Sequence, residues 1–219
     1  MIATNIRKIS EEIPAHVKLV AVSKTKPAEM VKEAYDAGQR AFGENKVQEM
    51  VAKHGVLPAD IEWHLIGHLQ SNKVKYIASF VHLIHSVDSL KLLEVINKEG
   101  EKHGRVIRCL LQFHIAQEET KFGLNMAEAE ALLNSESYRQ MKNVAICGVM
   151  GMASFTDNEI QVRKEFGLLK SYFEKLKTVF HPDSEVFNVI SCGMSGDYRL
   201  AIEEGSNMIR VGSSIFGGR

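Results

Sequence analysis

Eight short apolar runs rich in Val and Ile recur along the chain with helical patterns between them, and nothing else in the sequence restricts the fold as strongly. They begin near residues 18 (KLVAV), 41 (AFGEN), 62 (EWHLIG), 83 (LIHSV), 106 (VIRCLLQFHI), 144 (VAICGVMGM), 186 (VFNVIS) and 208 (MIRVG). The clearest segment between them is 157–180. There Val162, Phe166, Leu169, Phe173, Leu176 and Phe180 step by three or four and lay one apolar stripe along a helix. Asp157 is its expected cap. Another helix is expected at 89–103, opening with Asp88-Ser89 and carrying Leu92, Leu93 and Ile96. Strands alternating with helices predict a parallel sheet with right-handed crossovers. Runs that are apolar throughout predict strands covered on both faces. Eight such units in 219 residues match one α/β domain over 1–219, a closed (β/α)8 barrel of TIM type, with an open doubly wound sheet as the alternative. The sequence ends at Phe216-Gly217-Gly218-Arg219, directly after the eighth run, so no eighth helix is expected and residues 4–13 are expected to cover the gap.

Charge narrows the partners. Lys+Arg and Asp+Glu both number 27, and a chain without net charge lacks the basic face that a phosphate backbone demands, which argues against nucleic acid. The first sixteen residues are charged throughout and lack the apolar core of a signal peptide, and no run is long enough to span a bilayer. Cys109, Cys147 and Cys192 are odd in number and far apart, and the first two fall inside apolar runs, as small core residues in a reducing compartment do. A cytoplasmic monomer is expected.

In such a barrel the chemistry gathers where the strands end. The residues there are Ser23-Lys24, Glu44-Asn45, Gly67-His68, Ser86-Val87-Asp88, His114, Gly151-Met152, Ser191-Cys192-Gly193 and Gly212-Ser213. Taken alone, Lys24 is an ordinary loop lysine ahead of a helix that opens at Pro27. Its expected neighbours change that reading. "SCGMSGDYRLAIEEG" follows the seventh strand with Gly193 and Gly196, Met194 between them in part, Ser195 as the expected cap and Asp197 in the first turn. Glycines let the backbone approach a ligand, and a helix start offers free N–H groups to an anion. "RVGSS" puts Gly212 and Ser213 at the end of the eighth strand, and barrels commonly seat phosphate on these two loops. An amine facing a phosphate seat suits a carbonyl ligand held as a Schiff base, in a sugar-phosphate aldolase or a pyridoxal phosphate site. A partly desolvated mouth would lower the Lys24 pKa as a nucleophile requires; Lys26 reads as a solvated loop residue.

Arg210 shares a strand face with Gly212 and either points into the mouth or pairs with a rim carboxylate. Asn45 either reaches a ring hydroxyl or caps a helix, with Gln48 three residues on. His64 is expected to line the barrel and His68 its rim; at about 13 Å apart along an extended strand they cannot clasp one metal. His85 and His114 have no companion at ligand spacing, so no metal is assigned.

Together, "VAVSKTKP", "AFGENKVQE", "EWHLIGHLQSNK", "IHSVDS", "TKFG" and "CGMSGDYRLAIEEGSNMIRVGSSIFG" resemble, in order and spacing, the pyridoxal phosphate homeostasis proteins over essentially the whole chain. The resemblance implies a fold-type III barrel related to the N-terminal domain of alanine racemase. It also implies pyridoxal 5'-phosphate held as a Schiff base on Lys24, a phosphate seat from 191–195 (Ser191, Gly193, Met194, Ser195) and 212–213, and Arg210 facing the pyridine nitrogen, which would stay unprotonated. The resemblance further implies a binder or carrier that keeps the free cofactor in balance, with cofactor-dependent enzymes as acceptors and no established reaction of its own; an amino-acid racemase is the alternative. Racemisation needs a base on each face of the adduct, and of the five tyrosines Tyr198 stands nearest the strand ends. This chain departs from the family pattern at His68, at Cys192 and at Phe113-His114-Ile115-Ala116.

Overall fold

The computed structural model of the protein describes residues 1–118 and 122–218; Thr120 and Lys121 of the "TKFG" motif, and Arg219, lie outside the described residues. Among the described residues eight strands run β1 (Lys18–Val22), β2 (Ala41–Glu44), β3 (Glu62–Leu65), β4 (Leu83–Val87), β5 (Ile107–Phe113), β6 (Val144–Gly151), β7 (Val189–Ser191) and β8 (Met208–Val211). Each pairs in parallel with the next and β8 closes on β1, which makes a closed barrel. The helices are α1 (Ile2–Glu12), α2 (Ala28–Asp36), α3 (Val47–His54), α4 (Leu90–Lys102), α5 (Met126–Asn134), α6 (Glu136–Gln140), α7 (Glu159–Phe180), α8 (Tyr198–Glu203) and α9 (Ser213–Phe216), with a 3₁₀ turn at Ser71–Tyr76.

Strand alternation divides the apolar residues between two cores. Outward side chains such as Trp63, Leu65, Ile84 and Leu111 pack under the helices with Phe166 and Leu169 of α7. Inward ones, Val20, Ala41, Leu83, Leu110, Cys147, Met150, Val189 and Met208, fill the barrel. All three cysteines are free and buried.

Several boundaries differ from the sequence reading. The seventh strand starts at Val189, because the Phe187 carbonyl accepts from Lys177 Nζ (2.9 Å) and so leaves the ladder. Asn158, not Asp157, caps α7, its side chain accepting from Gln161 N–H at 3.3 Å. Ser89 caps α4 as expected. Pro27 takes the cap position of α2, one residue before its first turn. A short helix does follow β8: α9 packs against α1, where Asn5 Nδ2 donates to the Ile215 carbonyl at 2.9 Å. No described helix is long and apolar enough to cross a membrane.

Candidate functional site

A cavity of about 550 Å³ opens at the C-terminal ends of the strands. Lys24, Asn45, Met194, Ser195, Arg210, Gly212 and Ser213 all border it, so seven of the residues singled out from the sequence meet at one place. Val22, Ile66, Met152 and Phe122 give it apolar walls. Lys24 is half-buried.

The loop bearing Lys24 is held from behind. Ser23, fully buried, donates through Oγ to Glu44 Oε1 at 2.6 Å. Lys53 Nζ donates to the same oxygen (2.6 Å) and to the Ser23 carbonyl (2.7 Å). Glu49 takes the next N–H, that of Thr25, at 2.8 Å and stands 3.7 Å from Lys53. Thr25 sits at φ 64, a left-handed conformation that costs a β-branched residue energy. The strain is borne because Glu49 and the Ser23–Glu44–Lys53 cluster fix the residues around it. Burial pushes the Glu44 carboxyl up, and its hydrogen bonds to Lys53 and Ser23 oppose that. Lys26 is a partly exposed loop residue that also makes contacts. Its ammonium donates to the Gly217 and Gly218 carbonyls, at 3.1 and 2.9 Å, and ties the chain's end to the rim.

Arg210 enters the cavity from inside the barrel rather than pairing with a rim carboxylate. It is 3% exposed, NH1 donates to Ser191 Oγ (2.6 Å) and NH2 to the Gly151 carbonyl (3.1 Å). Ser191 therefore stands behind Arg210 and not on the cavity wall. Below it the interior continues as a polar column: Ser191 Oγ to His85 Nδ1 at 3.0 Å, then His85 Nε2 to His64 Nδ1 at 2.9 Å. His64 is thus in the barrel, as its pattern predicts, but deep under the cavity rather than on its wall. His85, which the spacing left without a companion, joins it to Ser191. Burial lowers the His64 pKa to about 4 and drives that of His85 well down, so both rings are neutral at neutral pH.

The β7 and β8 loops meet at the opposite side. Ser195 does not cap α8. Its Oγ accepts the Gly212 N–H at 3.2 Å and links the two loops, while Asp197 precedes the helix and takes the Met194 N–H at 2.6 Å. Gly193 keeps the turn close to α8. At φ 96 it is in the left-handed region, and a Cβ there would lie 2.7 Å from the Ala201 Cβ. It shapes the loop without bordering the cavity. Cys192 is buried beneath, its thiol pushed up to about 11 by burial, and so remains a thiol. Asn45 is on the cavity wall, and Lys46 takes the cap position of α3 without a side-chain bond. His68 stacks on Phe122 with ring centroids 4.7 Å apart. His114 Nε2 lies 2.8 Å from the Glu118 carbonyl. Tyr198 turns away from the mouth, its hydroxyl donating to Glu12 Oε2 at 3.1 Å.

The cavity therefore offers an amine, a guanidinium, an amide, two hydroxyls at paired glycine-bearing loops, and flat apolar walls. The profile of the alanine racemase N-terminal domain matches residues 1–219. A pyridoxal phosphate homeostasis protein of Aquifex aeolicus (strain VF5) is 38% identical over 207 residues, 92% of this chain and 87% of that one. The Homo sapiens protein of that name is 39% identical over 220 residues, 95% and 79% of the two chains. The chain belongs to the pyridoxal phosphate homeostasis protein family. Among solved structures of this family's fold, PipY of Synechococcus elongatus PCC7942 with PLP bound is similar at a TM-score of 0.89 and 36% identity, over 99% of this chain and 100% of that one. An alanine racemase of Clostridium difficile 630 shares the fold at a TM-score of 0.81 and 13% identity, with this chain covering 60% of it.

For a member of the pyridoxal phosphate homeostasis family, sequence reasoning missed Lys53 altogether, and it named Glu44 and His85 without finding their partners. Glu44 and Lys53 are nine residues apart across a strand, a loop and a helix, a separation with no periodic signature. Charged residues inside such a compact motif (GENKVQEMVAK) were the available signal.

Proposed function

We propose that this protein binds pyridoxal 5'-phosphate, with the Lys24 amine joined covalently to the cofactor's aldehyde carbon, and holds it for delivery to cofactor-dependent enzymes in the cytoplasm, as a monomer and without turnover of its own. The observation that carries this reading is the convergence of Lys24, buried Arg210 and the Ser195–Gly212–Ser213 loops on one cavity. The donor set fits the group. Ser195, Gly196 and Ser213 border the cavity with backbone N–H groups and hydroxyls for a phosphate, and α9 begins at Ser213, where a helix leaves its first N–H groups without intrahelical acceptors. Met194, Met152 and Ile66 suit the faces of a flat ring, and Asn45 suits a ring hydroxyl. PipY, similar over nearly its whole length, is solved with PLP bound.

When bound, pyridoxal phosphate supplies an electron-withdrawing ring whose power depends on protonation of its nitrogen. Arg210 has only donors, so a ring nitrogen facing it accepts a hydrogen bond and takes no proton. That weakens carbanion chemistry and favours holding over catalysis. The remaining acid–base groups also favour holding. Among the described residues that border the cavity there is no tyrosine. His68 is the imidazole there, 46% exposed and 3.8 Å from Asp88 Oδ2, and is the candidate second base for a racemase beside Lys26 and Asp197.

Borohydride reduction of the purified, cofactor-loaded protein, followed by peptide mapping, tests the attachment. A stable adduct on Lys24, absent from Lys24→Ala, is expected. An unlabelled Lys24, or a colourless protein that instead traps a sugar phosphate, overturns it. Incubation with single enantiomers of amino acids tests the second half: sustained racemisation that disappears in Lys24→Ala and in His68→Ala would replace the carrier with an enzyme.

A further inference from the structure

We propose that Glu62, His64 and His82 form a binding site for a divalent transition metal of the zinc class at the N-terminal end of the barrel, away from the cavity described above. Glu62 opens β3, His64 follows on the same face two residues later, and His82 immediately precedes β4, where its N–H donates to the Trp63 carbonyl at 2.9 Å. Glu62 Oε2 lies 4.0 Å from His64 Nε2 and 3.9 Å from His82 Nε2, and the three ligand atoms all lie within 4.8 Å of one another. These separations are too wide for hydrogen bonds. A tetrahedral ion about 2.0–2.1 Å from each ligand holds them ~3.3 Å apart, so a contraction on the order of 1 Å completes the site. Glu62 and His82, about a third exposed at 33% and 32%, have the freedom to make it.

His64 supplies the independent sign. It is fully buried, and its Nε2 has no hydrogen-bond partner among the described residues, a costly state for a polar atom enclosed by protein. Its other nitrogen is occupied by His85 at 2.9 Å, the backing that orients metal-bound imidazoles. An ion on Nε2 fixes the proton on Nδ1 and so gives the hydrogen bond to His85 one direction. Two neutral imidazoles and one carboxylate select zinc, cobalt or nickel over magnesium or calcium, which take oxygen shells. A cavity of about 340 Å³ bordered by Lys18, Gln39, Arg40 and Glu62 reaches this end and gives an ion its path.

Three cations oppose occupancy. Arg105 donates to the Ala78 and Val81 carbonyls and Arg108 to Cys147 Sγ, so both are engaged elsewhere. Lys18 is the direct competitor, because its ammonium pairs with the Glu62 oxygen that the metal would take. Binding is thus an exchange in which the metal enters and Lys18 swings to solvent.

The full chain without an affinity tag, titrated with Zn²⁺ by calorimetry and with Co²⁺ by visible absorption, tests the site. One equivalent should bind, and Lys24→Ala should bind equally, which separates this site from the cofactor reading. His82→Ala and Glu62→Gln, each checked for native circular dichroism, should weaken binding ~10-fold or more. Lys18→Gln should strengthen it by about 10-fold, since an opposing charge at contact distance is removed. Absence of saturable one-to-one binding, or equal affinity in His82→Ala and Glu62→Gln, or no gain in Lys18→Gln, would overturn the proposal.

Discussion

Replacing Lys53 with methionine isolates what the cluster behind Lys24 contributes. The substitution keeps most of the buried stem and removes the ammonium that donates to Glu44 Oε1 and the Ser23 carbonyl. Glu44 is fully buried, and one of its oxygens already lacks a partner. Its carboxylate is then left with the Ser23 hydroxyl alone. At 2.6 Å and an effective dielectric near 20 the lost attraction is about 6 kcal/mol, and part of it returns because the ammonium no longer has to be desolvated. Removal of one partner from a buried pair typically costs about 3–5 kcal/mol, which for a chain of this size lowers Tm by roughly 6–20 °C. The pH dependence has a definite sign. Burial already raises the folded-state pKa of Glu44 above its ordinary value of 4.5, and loss of Lys53 raises it further. A carboxyl raised in the folded state contributes stability below its unfolded value that is lost as pH climbs through the folded one. The deficit of Lys53→Met should therefore be widest near pH 8 and shrink toward pH 5. Thermal and urea melts of the cofactor-free protein at both values measure it, and Glu44→Leu in the same chain should restore most of the loss. A deficit below ~1 kcal/mol at pH 8, or one indifferent to pH, would refute the argument.

Gly193→Ala combines a left-handed φ with a methyl 2.7 Å from the Ala201 Cβ, and should cost on the order of 1–3 kcal/mol in urea melts while loosening phosphate binding. Ser191→Ala removes the acceptor for Arg210 NH1 and the partner of His85, so a loss of about 1–3 kcal/mol is expected, with weaker pyridoxal phosphate affinity by fluorescence titration. Phe155→Ser alters a side chain that is 100% exposed and should leave the melting curve within ~0.5 kcal/mol of the parent.

The barrel was legible because its cause is periodic. Seven of the eight strand starts fall within a residue of the apolar runs, and the α7 stripe, Val162 through Leu176, is the face that packs on the sheet. The start of the seventh strand moved because a lysine elsewhere, Lys177, claims the carbonyl that would have begun the ladder. Caps moved for the same kind of reason. Ser195 has the chemistry of a cap, but a neighbouring loop offers its hydroxyl the Gly212 N–H. The ends of strands could be counted, so Lys24, Arg210 and Gly212 were found. Depth could not be read: the pattern put His64 inside the barrel and Ser191 at a strand end, and only closure of the barrel stacks both, through His85, in one column with Arg210.

That column explains how a guanidinium can sit almost without exposure in a barrel interior. Burial lowers its pKa, and the enclosure would favour an apolar residue if packing alone mattered. Ser191 Oγ and the Gly151 carbonyl satisfy two of its donor groups, and the side chain borders the cavity. Ser191 is fixed in turn by His85, and His85 by His64. Lys24 is treated in the opposite way: the loop residues on either side of it are clamped, by Glu44 and Lys53 at Ser23 and by Glu49 at Thr25, while the amine itself carries the freedom of a long stem. A rigid donor at one end and an amine of restricted but movable reach at the other thus border one cavity. The half-exposed imidazole of His68, by contrast, is stacked on Phe122 and stands 3.8 Å from Asp88 Oδ2.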